Sequence, residues 1–272
     1  MAMIDSFEIE LGGAVIVGAE AGDGFPVVFL HAGVADHRMW QGQMEAVADA
    51  GYHAIAYDRR GYGETTSVDE GFSHLEDLEA VLDALDVHAA ILVGCSMGGG
   101  LAADFALAYP GRTVGLVLVA TALTGAKSFV ADGEQGIVMA EEDAEERGDL
   151  DMLNRVQAHA WLDGPRSASG RVWGAARDLF LDMNRKALQH PPLTREEPRP
   201  PASDRLSVIT APSLLICGDL DFGYILQRHE DASEVLGNAF AVVLEGTAHL
   251  PNLERPDLFN PLLLEFLGAV TA

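Results

Sequence analysis

The sequence predicts an α/β protein built on a mostly parallel sheet with helices on both faces, interrupted once by a helical insertion. Three observations carry this. Short apolar runs alternate with helix-length amphipathic segments from residue 14 to residue 121, and the alternation resumes after residue 206. The runs are continuous rather than two-periodic, as expected of strands covered on both sides. Between them, residues 122–205 carry helical spacing and no comparable strand. One core made of residues 1–121 and 206–272, with a cap inserted at 122–205, is more economical than two independent domains.

The elements follow in order. Residues 14–20 (AVIVGAE) and 26–33 (PVVFLHAG) read as consecutive strands. Residues 38–49 place Trp40, Met44 and Val47 at helical spacing before Gly51. Residues 53–61 read as a strand running into a glycine-rich turn, and 72–86 carry Leu75, Leu78, Val81, Leu82 and Leu85 on one helical stripe. A buried strand at 89–96, a small-residue helix at 97–109 and another buried strand at 114–121 complete the first block. The insertion holds the acidic run 141–151 (EEDAEERGDLD), then Trp161, Trp173, Leu179 and Met183. Five of the 12 prolines fall between Pro191 and Pro201, which makes that stretch a stiff linker. A strand at 213–219, a helix at 225–236, a strand at 239–249 and a terminal helix to Leu267 follow. That helix is expected to open at Asn260-Pro261, with asparagine as cap and proline in the first turn.

Composition excludes some functions. Lysine and arginine number 17 against 42 aspartates and glutamates, a formal charge of −25. Such a chain repels phosphate backbones and anionic membrane surfaces, so nucleic-acid and membrane partners are not expected. The N-terminal residues lack the basic flank and apolar core of a secretory signal, and no apolar run reaches the ~18 residues of a membrane span. Cys95 and Cys217 both fall in apolar strands and read as buried free thiols, which suits a reducing, cytoplasmic setting.

The chemistry centres on Gly94-Cys95-Ser96-Met97-Gly98, a G-x-S-x-G pattern between a strand and a helix. A serine in so sharp a turn needs glycines on both sides, because a Cβ would strike the neighbouring strand or helix. The turn lifts the hydroxyl above the sheet, and the helix N-terminus offers free N–H groups to developing negative charge. Cys95 alternates away into the strand. A serine hydroxyl needs a base, and His249 sits at the end of the last predicted strand. His53, His74, His88, His159, His190 and His229 read as solvated or packed side chains. Gly218-Asp219-Leu220-Asp221 offers two carboxylates ahead of the histidine, and Glu245 is a third.

The segments LVGCSMGGGLAADFALAYP, LHAG and GTAHLPNLERP together resemble the α/β-hydrolase superfamily, closest to small esterases, lactonases and chloroperoxidase-like perhydrolases. The resemblance covers the chain outside residues 122–205 and implies a mostly parallel eight-stranded sheet. It also implies Ser96 as nucleophile, His249 as base, Asp221 as orienting acid, and an oxyanion hole formed by the N–H groups of Met97 and Ala32. His31 is expected to brace that loop, and Asp58–Gly63 to act as scaffold. Trp40, Met97, Met152, Trp161, Trp173 and Met183 are candidate pocket residues, although for any single one packing of cap against core is the better reading.

The activity so implied is hydrolysis of an apolar carboxylic ester or lactone through an acyl-enzyme, with no cofactor and no metal. Carbon–carbon bond hydrolysis and perhydrolysis use the same residues, and a non-hydrolysing small-molecule receptor could share the fold. Dehalogenase and epoxide hydrolase chemistry needs a carboxylate where position 96 has serine. An aminopeptidase whose acidic cap run grips a substrate amine stays open, beside the simpler reading of that run as a solvated helix face.

Overall fold

A computed structural model describes residues 3–272; the first two residues of the expected core segment lie outside the described residues. The strands are β1 (Asp5–Leu11), β2 (Ala14–Ala21), β3 (Phe25–Leu30), β4 (Tyr52–Tyr57), β5 (Thr66–Ser67), β6 (Ala90–Cys95), β7 (Thr113–Val119), β8 (Ser213–Gly218) and β9 (Ala239–Leu244). The helices are α1 (Gln41–Asp49), α2 (His74–Ala84), α3 (Met97–Ala108), α4 (Gln135–Glu146), α5 (Leu150–Gln157), α6 (Ala175–Gln189), α7 (Gly223–Val235), α8 (Pro251–Glu254) and α9 (Pro256–Thr271). A π-helical turn over Ala158–Asp163 continues α5.

The sheet runs β1-β2-β4-β3-β6-β7-β8-β9, with the two-residue β5 paired to β2. Pairings from β4 through β9 are parallel, and β2 is antiparallel to β1, β4 and β5. Alternate residues of each central strand feed two separate cores. Val27 and Phe29 pack with Trp40 and Met44 of the α1 side and with Phe259 and Leu263 of α9. Val28 and Leu30 face Leu78 and Leu82 of α2 and Leu101 and Phe105 of α3. Each fully buried side chain of this kind is worth about 1.5–3 kcal/mol, so neither face of these strands can hold polar residues. This is why the runs read as uninterrupted.

Chain direction across the sheet reverses at β3. From there the chain goes to β4 on one side and crosses to β6 on the other. Open α/β sheets bind ligands beyond the strand carboxyl ends at such a switch point. Leu30 pairs with Gly94, so the loops after β3 and β6 emerge side by side.

Several expectations need correction. β1 precedes the first strand expected from the sequence; its Phe7, Ile9 and Leu11 alternate with polar residues and pack on the α2–α3 side. β9 ends at Leu244, leaving His249 in the following loop rather than at a strand end. The terminal helix begins at Pro256 in its first turn, with Pro261 inside it, and runs to Thr271. Asn260 is therefore no cap; its side-chain oxygen accepts a 2.7 Å bond from Gln43 Nε2.

Between β7 and β8 come α4, α5, the π turn and α6. Ala158, Leu162, Phe180 and Met183 of this segment join the same apolar cluster as the α1–α9 face. The proline-rich stretch is extended and pairs with the start of α2's loop, Glu197 N–H reaching Phe72 O at 2.8 Å.

Candidate active site

Ser96 sits between β6 and α3 with φ +53° and ψ −116°, a conformation that L-residues avoid. Its N–H is tied to Val119 O at 2.8 Å, so the sheet holds the strained residue in place. A Cβ at Gly94 would lie 2.3 Å from Gly98 O, and one at Gly98 would lie 2.2 Å from Leu30 O. Both positions therefore require glycine. The strand-to-helix turn expected from the sequence is present, and it leaves Ser96 half-buried at the mouth of a cavity.

Asp221 lies in the loop after β8 and is fully buried. Its Oδ1 accepts Phe222 N–H at 2.7 Å, and its Oδ2 accepts His249 Nδ1 at 2.7 Å. With the proton on Nδ1, the second ring nitrogen of His249 is left as an acceptor. Asp219 is used differently, bonding Gly246 N–H at 2.6 Å within the turn, and Glu245 is exposed. Of the three candidate carboxylates, Asp221 is the one bonded to the histidine.

The loop carrying His249 is gripped by the segment inserted between β7 and β8. His249 N–H donates to Trp161 O at 3.2 Å, and the two rings lie 4.6 Å apart. Arg171 donates to Leu162 O at 2.9 Å, Asp163 O at 2.7 Å and Gly246 O at 2.9 Å, and also pairs with Glu254. Glu254 in turn accepts Ala248 N–H through both carboxylate oxygens, at 2.9 and 3.1 Å. Burial pushes the Glu254 acid up to about 7, against the pull of Arg171 and of backbone donors.

A cavity of about 300 Å³ contains both Ser96 and His249, with Gly33, Met97, Trp161 and Tyr224 among its walls. Met97 opens α3, where the first N–H groups have no intrahelical partner. The expected second donor, Ala32, does not face this cavity. It is fully buried, and its N–H points at Met39 Sδ, 3.3 Å away. The next residue, Gly33, lines the cavity, and a Cβ there would lie 2.6 Å from Met97 Sδ.

Pocket expectations divide. Trp161 and Met97 line the cavity. Trp40 does not: it is fully buried at the start of α1, packed at a tilt between Phe29 and Phe259. Met183 is core as well, while Met152 and Trp173 are exposed at 43% and 82% and line neither cavity described here. Sequence reasoning missed Tyr224, Ile225 and Arg228 on α7 and Gln157 on α5, and within the acidic run 141–151 it did not single out Glu141 of α4. The α7 residues had a signal, since the helix that starts just after the acid loop points its first turns at the site. For Glu141 and Gln157 only the tertiary packing decides.

A second cavity of about 320 Å³ adjoins the first through Gly33, Val34, Met97 and Gln157, and reaches Arg60, Tyr62 and His74. The Asp58–Gly63 turn thus braces the loops and also forms a wall. His31 bonds its loop as expected, accepting Arg59 N–H at 3.1 Å on Nε2 and donating to Ala32 O at 2.7 Å from Nδ1. Burial, with Arg59 nearby, pulls its pKa down to about 3, so it stays neutral. Asp36, His37 and Asp58 offer three donor atoms within 4.8 Å of one another. Those donors are spent: Asp36 on Arg38 at 2.7–3.0 Å, and Asp58 on His37 and Glu64 at 2.7–2.9 Å. Cys95 and Cys217 are buried and free. No described helix is long and apolar enough to cross a membrane.

This arrangement puts a strained serine, a carboxylate-oriented imidazole and two candidate N–H donors around one cavity. Residues 27–262 match the model of the alpha/beta hydrolase family, and the chain belongs to that family. It is similar to the 2-hydroxy-6-oxononadienedioate/2-hydroxy-6-oxononatrienedioate hydrolase of Paraburkholderia phymatum, 31% identical over 83% of this chain and 80% of that protein. A shorter match, 46% identical, links 29% of the chain to 30% of the non-heme chloroperoxidase CPO-A1 of Kitasatospora aureofaciens. Among solved structures it resembles Est816, an N-acyl homoserine lactone degrading enzyme, with TM-score 0.73 and 26% identity over 95% of this chain and 99% of that one.

Proposed function

We propose that this protein is a serine hydrolase that cleaves carboxylic esters or lactones through an acyl-enzyme. The observation that carries the reading is the cavity shared by Ser96 and His249, with His249 Nδ1 bonded to buried Asp221 at 2.7 Å. Ser96 attacks the carbonyl as His249 takes its proton, and Asp221 holds the imidazole in the required tautomer and stabilises the imidazolium. Met97 and Gly33 N–H groups receive the oxyanion; each such donor is worth about 3 kcal/mol. Protonated His249 then supplies the proton to the leaving alcohol. Water, activated by the same imidazole, releases the acid. Residues 122–205 act as a lid over the cavity, and the free thiols suit a cytoplasmic setting with a small-molecule substrate.

Carbon–carbon bond hydrolysis is the second reading, favoured by the similarity to the Paraburkholderia hydrolase. The test is turnover of p-nitrophenyl esters, an acyl-homoserine lactone and a conjugated enol-keto acid by wild type and Ser96→Ala. Ester or lactone turnover that drops about 10³-fold or more in Ser96→Ala supports the first reading. Turnover of the keto acid alone supports the second.

A further inference from the structure

Of the acidic run at 141–151, one carboxylate faces inward. Glu142, Asp143, Glu145 and Glu146 are exposed, whereas Glu141 is half-buried and lines the cavity that holds Ser96 and His249. Its position is built rather than incidental. Gln157 Nε2 donates to Glu141 Oε1 at 2.8 Å. Gln157 is itself held by Asn184 Nδ2 at 2.8 Å, which also reaches Asn154 Oδ1 at 3.0 Å. Three buried amides on α5 and α6 thus seat one carboxylate at the wall of the cavity.

A carboxylate taken out of water needs compensating donors, and a cation serves it best. The partners Glu141 has, the Gln157 amide and the Trp161 indole, are both neutral donors and leave part of its roughly four acceptor sites free. Burial, with Glu142 and Glu145 close by, raises its pKa despite Gln157 and the Trp161 indole. The cation on the same wall, Arg228, has its Nε buried without a partner among the described residues and turns its Nη2 to other groups. Its Nη2 bonds Ala126 O at 3.2 Å, Lys127 O at 3.1 Å and Ser128 Oγ at 2.8 Å, and its guanidinium lies 4.8 Å from the Tyr224 ring centroid.

We propose that Glu141 selects substrates, receiving the ammonium group of amine-bearing esters or lactones held at Ser96. The ammonium supplies the charge-assisted bonds that the carboxylate lacks, in the cavity it shares with Ser96 and His249. A chain with a net charge of −25 also concentrates cations at its clefts. The exposed remainder of the acidic run then reads as a solvated helix face. This assignment rests on the ester-hydrolase reading, so its test needs one arm that does not depend on turnover.

In the first arm, ethyl esters of glycine, β-alanine and ε-aminocaproate are compared with the matched hydroxy and alkyl esters, following acid release by pH-stat. The quantity read is the ammonium-to-alkyl ratio of kcat/KM in wild type divided by that ratio in Glu141→Gln. Intrinsic reactivity and any loss of folded enzyme cancel in it. The expected value is about tenfold or more for at least one chain length, the low end of what a charged hydrogen bond contributes. A value near one at every length, or an equal effect on hydroxy esters, overturns the assignment. In the second arm, calorimetry measures hexylammonium and hexanol binding to both proteins. Hexylammonium is expected to bind about tenfold more weakly to Glu141→Gln, with hexanol shifting far less; equal binding overturns the proposal even where no ester is turned over. Absence of ester turnover together with Glu141-dependent hexylammonium binding removes the ester reading and leaves only the ammonium site at Glu141 standing.

Discussion

Two histidine–aspartate pairs in this molecule share one geometry, 2.7 Å from Nδ1 to a carboxylate oxygen, and differ in everything around it. The first is His249–Asp221, with side chains 2% and 0% exposed, whose imidazole shares a cavity with a strained serine. The second is His37–Asp58, 17% and 1% exposed, which lines neither cavity. Asp58 spends its remaining capacity on the backbone N–H groups of His37 and Glu64, so this pair ties the turn after β4 to the loop after β3. A carboxylate beside Nδ1 orients an imidazole in both places. Chemistry depends on what faces the other nitrogen.

The largest test of that contrast swaps the acids. Asp221→Asn is expected to lower kcat by about 10⁴-fold, because an amide can hold the wrong tautomer. Asp58→Asn is expected to keep kcat within about tenfold and instead to lose about 3 kcal/mol of stability by denaturant melts. Equal kinetic losses in two folded variants would erase the distinction.

Next comes the support of the His249 loop. Glu254 is raised to about 7 from an ordinary 4.5, so the native state holds its proton more tightly than the unfolded chain. Its contribution is present below pH 4.5 and is lost as pH rises through 7. The full change is on the order of 3 kcal/mol. Glu254→Gln is expected to flatten the stability–pH curve over that window. Glu254→Ala, which removes the acceptor of Ala248 N–H, is expected to lower kcat about tenfold with little change in KM, since the base is misplaced while the cavity stays.

A smaller effect separates the pairs by pH. At His37 burial lowers the pKa, but the hydrogen bond and charge of Asp58, with Asp36, outweigh it and raise the value above 6.5. At Asp58 burial raises the pKa, but His37 outweighs it and holds the acid below 3.8. The ion pair's stability is therefore complete between those ordinary values. It fades as pH rises through the raised histidine pKa or falls through the lowered aspartate pKa. The deficit of Asp58→Asn relative to wild type is expected to peak between about pH 4 and 6.5 and to shrink on either side. A deficit that grows above pH 8 contradicts an ion pair there.

Smallest is a tryptophan comparison. Trp173→Ser, at a side chain 82% exposed, is expected to change stability by no more than about 0.5 kcal/mol and leave turnover alone. Trp161→Ala removes the ring lying against His249 and is expected to lower kcat several-fold.

What was legible in the sequence follows from local rules. The sheet strands could be read because burial on two faces leaves no polar positions, and the serine turn because only glycine fits at Gly94 and Gly98. β1 was also legible in principle, as a two-periodic run, and the terminal helix misled because proline is tolerated at its second turn. Ala32 and Gly33 are adjacent small residues, and no local rule says which N–H turns toward the cavity. Met39, seven positions on, takes the first.

By itself, then, the sequence determined the strand–helix alternation and a serine, a histidine and a short set of acids in workable order, among which the family resemblance pointed to Asp221. Each depends on neighbours in the chain or on backbone sterics. Tertiary structure alone decided that Trp40 is core and Trp161 is wall, and that one glutamate of the acidic run turns inward. Those outcomes depend on contacts between residues dozens to hundreds of positions apart, whose packing is set only when the sheet and the inserted helices close on each other.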